Sequence, residues 1–542
     1  MKKVVLLDEY GKPIARTSNR VLASGYSYAG ASLTKPVFKG WNWTGGSPDD
    51  DIVANLPIIR QRSRQLTMDS SIIAGLYDTL TTYTVGTGLV PEPTPDAEFL
   101  GMDPDDVKKF KNNVLRYWEA FAESPGCDVR HQNNFYELTQ LICRSSDESG
   151  DCFVTMPRFD RRNFPFMLKI QVTEADCVSD PDAVELIEHE LQGNDIFGGV
   201  ELSPWGNVVG YWFYTGHPLA KRRPYTYRHN EVLYPRWVFI PAYGAETGLP
   251  NVLHIMKSLR PGQRRGLPVI SSVIELALTL DRYMKAEAIA AQIQAMFTLV
   301  MTSENPDAVI GESEKLEEDD EGRRLTDDDD SMIVLGNGIV QYARPGEEPK
   351  PIQSTRPTNS FAPFVQSSLQ IIGASTLPSE LLLQKFDQSY SAIKGAVNMA
   401  STKFKVRRRG LVNDFNQPTY AMFMDEAVLR GWIYAPGYFD DPIKRLAYQR
   451  CKWSGIGMPQ VDLKDAVAAA RDMIALGLST AGEQASELNG SDYIENLSVR
   501  AREIQAAIAA GLSESAARGE LSSTAIRKEG DGSPNGNNGE EK

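Results

Sequence analysis

The sequence predicts an α+β protein, mostly helical and divided into several domains. Three observations carry this reading. Residues 389–432 place apolar side chains at Ile393, Val397, Ala400, Phe404, Leu411, Phe415 and Met422, steps of three, four and seven that follow a helical period, with Arg408 in the one missing position of the stripe. Between Asp151 and Tyr243 that period gives way to short runs of β-branched and aromatic residues. A chain of 542 residues is long enough for three or four domains, each burying its own core.

In chain order, residues 1–50 read as extended and loop-rich, with GWNWTGGSPDDD at 40–51. A helical stretch is expected from Ile52 to Val85, ended by the breaker series GTGLVPEPTP. Asp103-Pro104 signals a helix start, Asp as N-cap and Pro at the first helical position. Val107, Phe110, Val114, Trp118 and Phe121 then line one face. A further helix is expected from Asn133 to about Asp147. The strand candidates are CFVTMPRF, FMLKIQVTEADCV, VELSPWGNVVGYWFYTG and RWVFIPAY, with a hairpin turn at Pro204-Trp205-Gly206-Asn207. This mixed domain closes with RPGQRRG at 260–266.

Pro268 is expected to open a helix to about Met301, rich in small residues at Ala286, Ala288, Ala290, Ala291 and Ala295. The strongest composition shift follows, GESEKLEEDDEGRRLTDDDD at 311–330, with eleven acids against three bases; it reads as a disordered or solvated projection. A hairpin on Gly336, Asn337 and Gly338 is expected over 332–342. A proline-rich connector and a second helix, Pro363 to Ser375, lead to the helix of 389–432, about 60 Å long at ~1.5 Å per residue and kinked by Pro418. After Pro436 short capped helices are expected: Asp462 to Gly477, a capping box at Thr480 and Glu483, and Ser491 to Gly511 through Ile494, Val499, Ile504 and Ile508. The tail EGDGSPNGNNGEEK has no apolar residue and is expected to be disordered.

Charge and chemistry exclude more than they suggest. The net charge of −14 gives no global attraction to nucleic acid or anionic lipid. Five scattered cysteines, Cys127, Cys143, Cys152, Cys177 and Cys451, without a CxxC pair, point to a reducing compartment and away from a zinc cluster. The apolar run in MKKVVLLDEYGK is too short for a signal peptide, and Asp281, Arg282, Lys285 and Glu287 interrupt the longest apolar helix, so a soluble intracellular protein is expected. No Gly-rich loop followed by Lys-Ser or Lys-Thr occurs, nor a GxSxG elbow, nor ligand spacing among the five histidines. Asp49-Asp50-Asp51 and Asp180-Pro181-Asp182 offer carboxylates for two-metal chemistry, but turn and cap use is the commoner role of such clusters. Glu188-His189-Glu190 reads as a solvated helix face. No enzyme and no cofactor are expected.

Two basic clusters remain, Arg260, Arg264 and Arg265, and Arg407, Arg408 and Arg409. They bind carboxylates across a subunit interface or face solvent on one reading, and contact a phosphate backbone on the other. In the second cluster successive residues stand ~100° apart around the helix. Arg408, on the apolar stripe, is expected to meet a carboxylate of this or the next subunit. At least one of Arg407 and Arg409 is expected to face outward.

The order of these parts resembles the portal proteins of tailed bacteriophages, and their lambda-like branch in particular. The pieces that carry the resemblance are RPGQRRG followed by Pro268, FDQSYSAIK at 386–394, and WSGIGMPQVDLKDAVAAARDMIALGLST at 453–480, with Leu463 where that branch often has proline. The resemblance runs from about Trp41 to Leu512. It implies a homo-oligomeric ring, usually of twelve copies, at one capsid vertex of the virion, assembled in the host cytoplasm. Double-stranded DNA would be packaged through its channel by a terminase and later ejected, and head-tail connector or adaptor proteins and the major capsid protein would attach to it.

The same resemblance divides the chain. Residues 1–265 would be the wing, 266–302 and 359–378 the two stem helices, and 303–358 the clip. The tunnel loop and long kinked helix would be 379–435, the helical crown 436–512 and the disordered tail 513–542. Arg407, Arg408 and Arg409 become candidates for the DNA channel. Asp327, Asp328, Asp329 and Asp330 with Gly336, Asn337 and Gly338 become candidates for terminase docking, and Arg260, Arg264 and Arg265 for the subunit interface. No membrane partner is implied. The alternatives are a metal-dependent DNA-processing enzyme and a capsid scaffold or adaptor without a channel.

Overall fold

The computed structural model describes residues 45–296, 300–303, 347–350, 361–378, 390–457, 463–511 and 514, except 190, 192, 221–225, 229, 230, 234, 235, 375 and 492. The expected hairpin at 332–342, the acidic run at 311–330 and the C-terminal tail therefore lie outside the described residues. The elements belong to one compact unit, Pro48–Lys542.

The predicted helix from Ile52 to Val85 forms as α1 (Pro48–Val53), α2 (Leu56–Asp69) and α3 (Ser71–Thr84), broken where Ser70 turns extended between the last two. Strand β1 (Val90–Pro93) and the short α4 (Ala97–Leu100) lead to α5 (Pro104–Ala122). Asp103 stands before α5 in extended conformation, as expected of a cap, but its side chain makes no capping bond. Phe110, Val114, Trp118 and Phe121 are buried along one face, the spacing of an amphipathic helix. In α6 (Phe135–Ser149), Asn134 and Glu137 close a reciprocal capping box with bonds of 2.9 and 2.8 Å.

Strands β2 (Asp151–Thr155) and β3 (Gln171–Glu174) follow, then α7 (Ala183–His189), β4 (Asp195–Phe197), β5 (Val200–Leu202), β6 (Val208–Tyr214), β7 (Thr226–Arg228), β8 (Glu231–Leu233), β9 (Trp237–Pro241) and β10 (Val252–Met256). An antiparallel sheet of order β10-β2-β3 and one of order β4-β5-β6-β9 face each other through Phe153, Val200, Tyr211, Phe213 and Val252. The expected hairpin joins β5 to β6, with Gly206 at φ +82° in its turn.

The helix expected from Pro268 begins later, as α8 (Ile274–Met296). Residues 268–273 form tight turns instead, with Ser271 and Val273 N–H bonded to the carbonyls of Pro268 and Ile270. At its far end Met301 belongs to strand β11 (Val300–Ser303), which pairs with β12 (Glu347–Lys350), so β-branched Val300 and Thr302 satisfy a ladder rather than a helix. Helix α9 (Phe361–Ala374) returns beside α8, with Tyr283 against Phe361 and Phe364.

The long helix is α10 (Tyr390–Leu411), then a π turn (Val412–Asn416), then α11 (Gln417–Leu429), a path of about 60 Å at ~1.5 Å per residue. Pro418 has no N–H and its ring crowds the carbonyl four residues earlier; the widened turn just before it absorbs that misfit. The predicted stripe is the buried one: Ile393, Ala400, Phe404, Leu411, Phe415 and Met422 are buried, and Val397 is half-buried.

Beyond it come α12 (Pro442–Tyr448), β13 (Cys451–Ser454), α13 (Leu463–Ala475), α14 (Ala481–Asn489) and α15 (Tyr493–Ala509). The Thr480–Glu483 capping box forms, and Gly477 (φ +69°) ends the turn after α13; Asp462 lies outside the described residues. Strand β13 pairs with β1 across the chain, and Tyr448 and Trp453 pack into the main core around Trp118. Helix α14 also returns to the body, with Glu487 at 2.7 Å from Lys405 and Ser486 at 3.3 Å from Ser454. In α15 Ile494, Val499 and Ile508 remain exposed.

Candidate functional site

Asp151, at the start of β2, gathers the first basic cluster. Its carboxylate is fully buried and accepts from Arg60 Nη2 and Arg265 Nε, both at 2.6 Å, from His254 Nε2 at 3.2 Å and from Gly266 N–H at 3.2 Å. Burial alone would raise the pKa of this carboxyl, but the Arg265 and Arg60 guanidiniums and the bond from His254 outweigh it and hold the group well below the usual carboxylate range. The same burial lowers Arg60 to about 10, against the pull of Asp151.

Arg265 also donates to the carbonyls of Val178, Gly198 and Ala175. It is 2% exposed, so it cannot reach a neighbouring subunit: the expected interface residue is an internal clamp. Its backbone is brought in by a close crossing in which a Cβ on Gly266 would lie 1.8 Å from the carbonyl oxygen of Gly150. The other two members of the cluster turn toward α1. Arg264 meets Asp49 at 3.4 Å and Arg260 meets Asp51 at 2.6 Å, this last pair lying at the surface.

The second cluster divides three ways. Arg407 pairs with Asp147 of α6, largely out of water. Burial lowers and Asp147 raises the pKa of Arg407, with Asp147 prevailing; burial raises that of Asp147 against the pull of Arg407. Among the described residues of its own chain Arg408 meets no carboxylate. It donates to the carbonyls of Thr84 (2.9 Å), Tyr83 (3.2 Å) and Ile456 (3.0 Å). Two of these are the last carbonyls of α3, where unsatisfied acceptors and the negative end of the helix dipole supply what a carboxylate would. Arg409 is exposed.

The carboxylate clusters that could suggest metal chemistry are used structurally. Asp49 and Asp51 hold Arg264 and Arg260, and Asp180 accepts from Gly199 N–H at 2.7 Å. His189 meets Glu201 at 3.1 Å; the side chain of Glu188 and all of Glu190 lie outside the described residues. Among the described residues one further group, Glu174, Asp176 and His217, brings ligand-type atoms within 4.8 Å of one another. Its hydrogen bonds do not suit a metal. His217 Nδ1 accepts from Leu219 N–H at 3.2 Å, which puts the imidazole proton on Nε2, and Nε2 faces Glu174 at 2.8 Å. Asp176 is taken by Arg64 at 2.5 Å.

Asp147, Asp151 and His254 were not singled out in the sequence. A lone acid before a strand looks the same whether it faces water or a buried guanidinium, and only the RPGQRRG run signalled that carboxylates were needed somewhere. Among the described residues no helix is long and apolar enough to cross a membrane.

The fold is thus one of long helices rooted in a mixed α+β body by buried arginine–carboxylate pairs, with Asp49, Asp51 and Asp180 bonded within the chain. The chain belongs to the lambda family of phage portal proteins, whose family model matches residues 34–408. It is 24% identical over 525 residues to Portal protein B of Escherichia phage lambda, covering 92% of this chain and 93% of that protein. It is also 24% identical over 517 residues to the Portal protein of Escherichia phage N15, with the same coverage of 92% and 93%. Among solved structures it is similar to a chain of the neck of an empty GTA particle, with a TM-score of 0.37, 12% identity and coverage of 78% and 92%. A chain of the virion of the native gene transfer agent particle gives a TM-score of 0.37, 11% identity and coverage of 80% and 98%.

Proposed function

We propose that this portal protein is the repeating subunit of a closed ring of twelve copies, which forms a single channel at one capsid vertex of the virion, through which double-stranded DNA is packaged and later ejected. Membership of the portal family over residues 34–408 carries the reading. The net charge of −14 supports it: every fixed phosphate contact releases counterions and adds affinity, so a conduit works best where DNA is not gripped. The chain itself is structural, and the motor is a separate terminase.

The division of labour follows the same reading. Residues 1–265 form the wing, 266–302 and 359–378 the stem, 303–358 the clip, 379–435 the tunnel loop and helix, 436–512 the crown and 513–542 the tail. The antiparallel packing of α8 with α9, and the pairing of β11 with β12 beyond them, support a stem that ends in a clip. The terminase large subunit docks at the clip through Asp327–Asp330 and the turn at Gly336, Asn337 and Gly338; head-tail adaptors and the major capsid protein bind elsewhere on the ring. Of the basic triplet, Arg409 is the residue left to meet DNA, because Arg407 and Arg408 are held inside the subunit.

Purified chain incubated with labelled duplex DNA and magnesium or manganese tests this against the nuclease alternative. The DNA is expected to stay intact. Cleavage that disappears when Asp49, Asp50 and Asp51 are changed to Asn would overturn the structural role.

A further inference from the structure

The four-stranded sheet β4-β5-β6-β9 has unlike ends. At one end the turn between β5 and β6 is closed by Ser203 N–H to the Asn207 carbonyl at 2.9 Å and Gly206 N–H to the Ser203 carbonyl at 2.8 Å. It holds Trp205 outward, 91% exposed. An indole left in water forgoes the burial of about 150–250 Å² of mostly apolar surface. An aromatic held on a tight turn is ordered before it binds, so little further side-chain entropy is lost when it does.

At the other end of the sheet lies an open groove of about 900 Å³. Phe213, Tyr214, Val238 and Ile240 form its sheet wall, and Met68 of α2 and Leu141 of α6 its helical wall. Met68 is 81% exposed, and Leu141 and Val238 are exposed as well. Strand β6 is seven residues long, so at ~3.3 Å per residue about 20 Å separates the turn from the Tyr214 end of the groove. Trp205 cannot fill the groove of its own chain.

We propose that Trp205 of one copy seats in this groove of the next copy, one contact repeated around the ring. The inference rests on the ring proposed above and names a surface that forms it. A knob and a hole on opposite ends of one sheet make a heterologous contact, which propagates from copy to copy and closes when the rotation allows. A two-fold dimer would instead need each patch to match itself. The chemistry of the groove suits an indole: apolar walls for the ring, the half-buried carboxylate of Glu148 as an acceptor for its N–H, and the exposed guanidinium of Arg130 for its face. Arg64 and Arg144, also on the rim, are already paired with Asp176 and Asp78. The face that carries Trp205 also carries Arg264, whose guanidinium lies against Gly206. One tryptophan is too small to make a stable interface alone, since about 800 Å² per partner is usual. Trp205 is therefore the anchor of a wider contact.

Two variants of the full chain test this. Trp205→Ala is expected to raise the concentration at which rings form about thirtyfold, the loss of a typical anchor residue. In a Cys177→Ser background, because Cys177 also lines the groove, Trp205→Cys with Met68→Cys is expected to give a ladder of disulfide-linked multimers under oxidation, and neither single change to do so. Rings of the parent combined with an unlinked double variant, or with Trp205→Ala rings forming at the parent concentration, would overturn the contact while leaving the ring standing. Met68→Cys that stays shielded from a thiol reagent in both parent and Trp205→Ala rings would show another occupant in the groove, which also overturns it. A parent that never leaves the monomer defeats the ring and this contact together.

Discussion

Asp151 serves two buried guanidiniums, so its loss leaves two charges without a counterion. Asp151→Asn is expected to lower the unfolding free energy by about 3–5 kcal/mol, measured by urea denaturation. The pH dependence follows from the direction of the shift. A carboxyl held below its unfolded value, near ~3.9, stabilises the fold fully above that value, and the contribution is lost as pH falls through the folded value. The urea midpoint of the parent should therefore drop steeply below about pH 4, and that drop should be shallower in Asp151→Asn. The arginine triplet separates by the same reasoning. Arg407→Gln strands the buried Asp147 and should lower the thermal midpoint. Arg409→Gln should leave the midpoint and assembly unchanged while particles lose packaged DNA. Retention equal to the parent in Arg409→Gln would make that residue a solvated one.

Among the elements, the crossing of 265–266 over Gly150 joins the body to the turns that precede α8. Gly266→Ala forces a Cβ into the Gly150 carbonyl, and the backbone must move at a cost of about 1–3 kcal/mol or more. A lowered thermal midpoint with intact secondary structure by circular dichroism would agree; an unchanged midpoint would mean that the crossing is loose. Several helices were legible: α5 and α10 lie where a stripe of apolar residues every three to four positions put them, and α6 and α9 lie close to where helices were expected. The start of α8 was not, because residues 268–273 satisfy their backbone groups in turns that no stripe reveals. Strand β1 was hidden as well. GLVPEP reads as a breaker, yet Val90–Pro93 pairs with Cys451–Ser454, a partner no local pattern can name, and prolines are tolerated on the side of an edge strand that needs no donor. The basic clusters were visible for the same local reason, while Asp147 and Asp151, which decide what those arginines do, sit in the polar run SSDESGD, which reads as an ordinary solvated helix end.

For the whole molecule, the acidic balance and the family membership bear on how partners approach. The acidic run at 311–330 would steer a basic partner by long-range attraction. Changing Asp327, Asp328, Asp329 and Asp330 to Asn should slow terminase association at low salt and leave assembly intact; an unchanged association rate would separate the acidic run from docking. The expectations about DNA retention and terminase docking depend on copies of the chain closing into a channel. Electron microscopy of the purified full-length protein tests that most directly. The expected images are closed rings with a central opening wide enough for a DNA duplex, present across a range of salt concentrations. Particles no larger than a monomer or dimer under every condition, or closed assemblies with no axial opening, would contradict it.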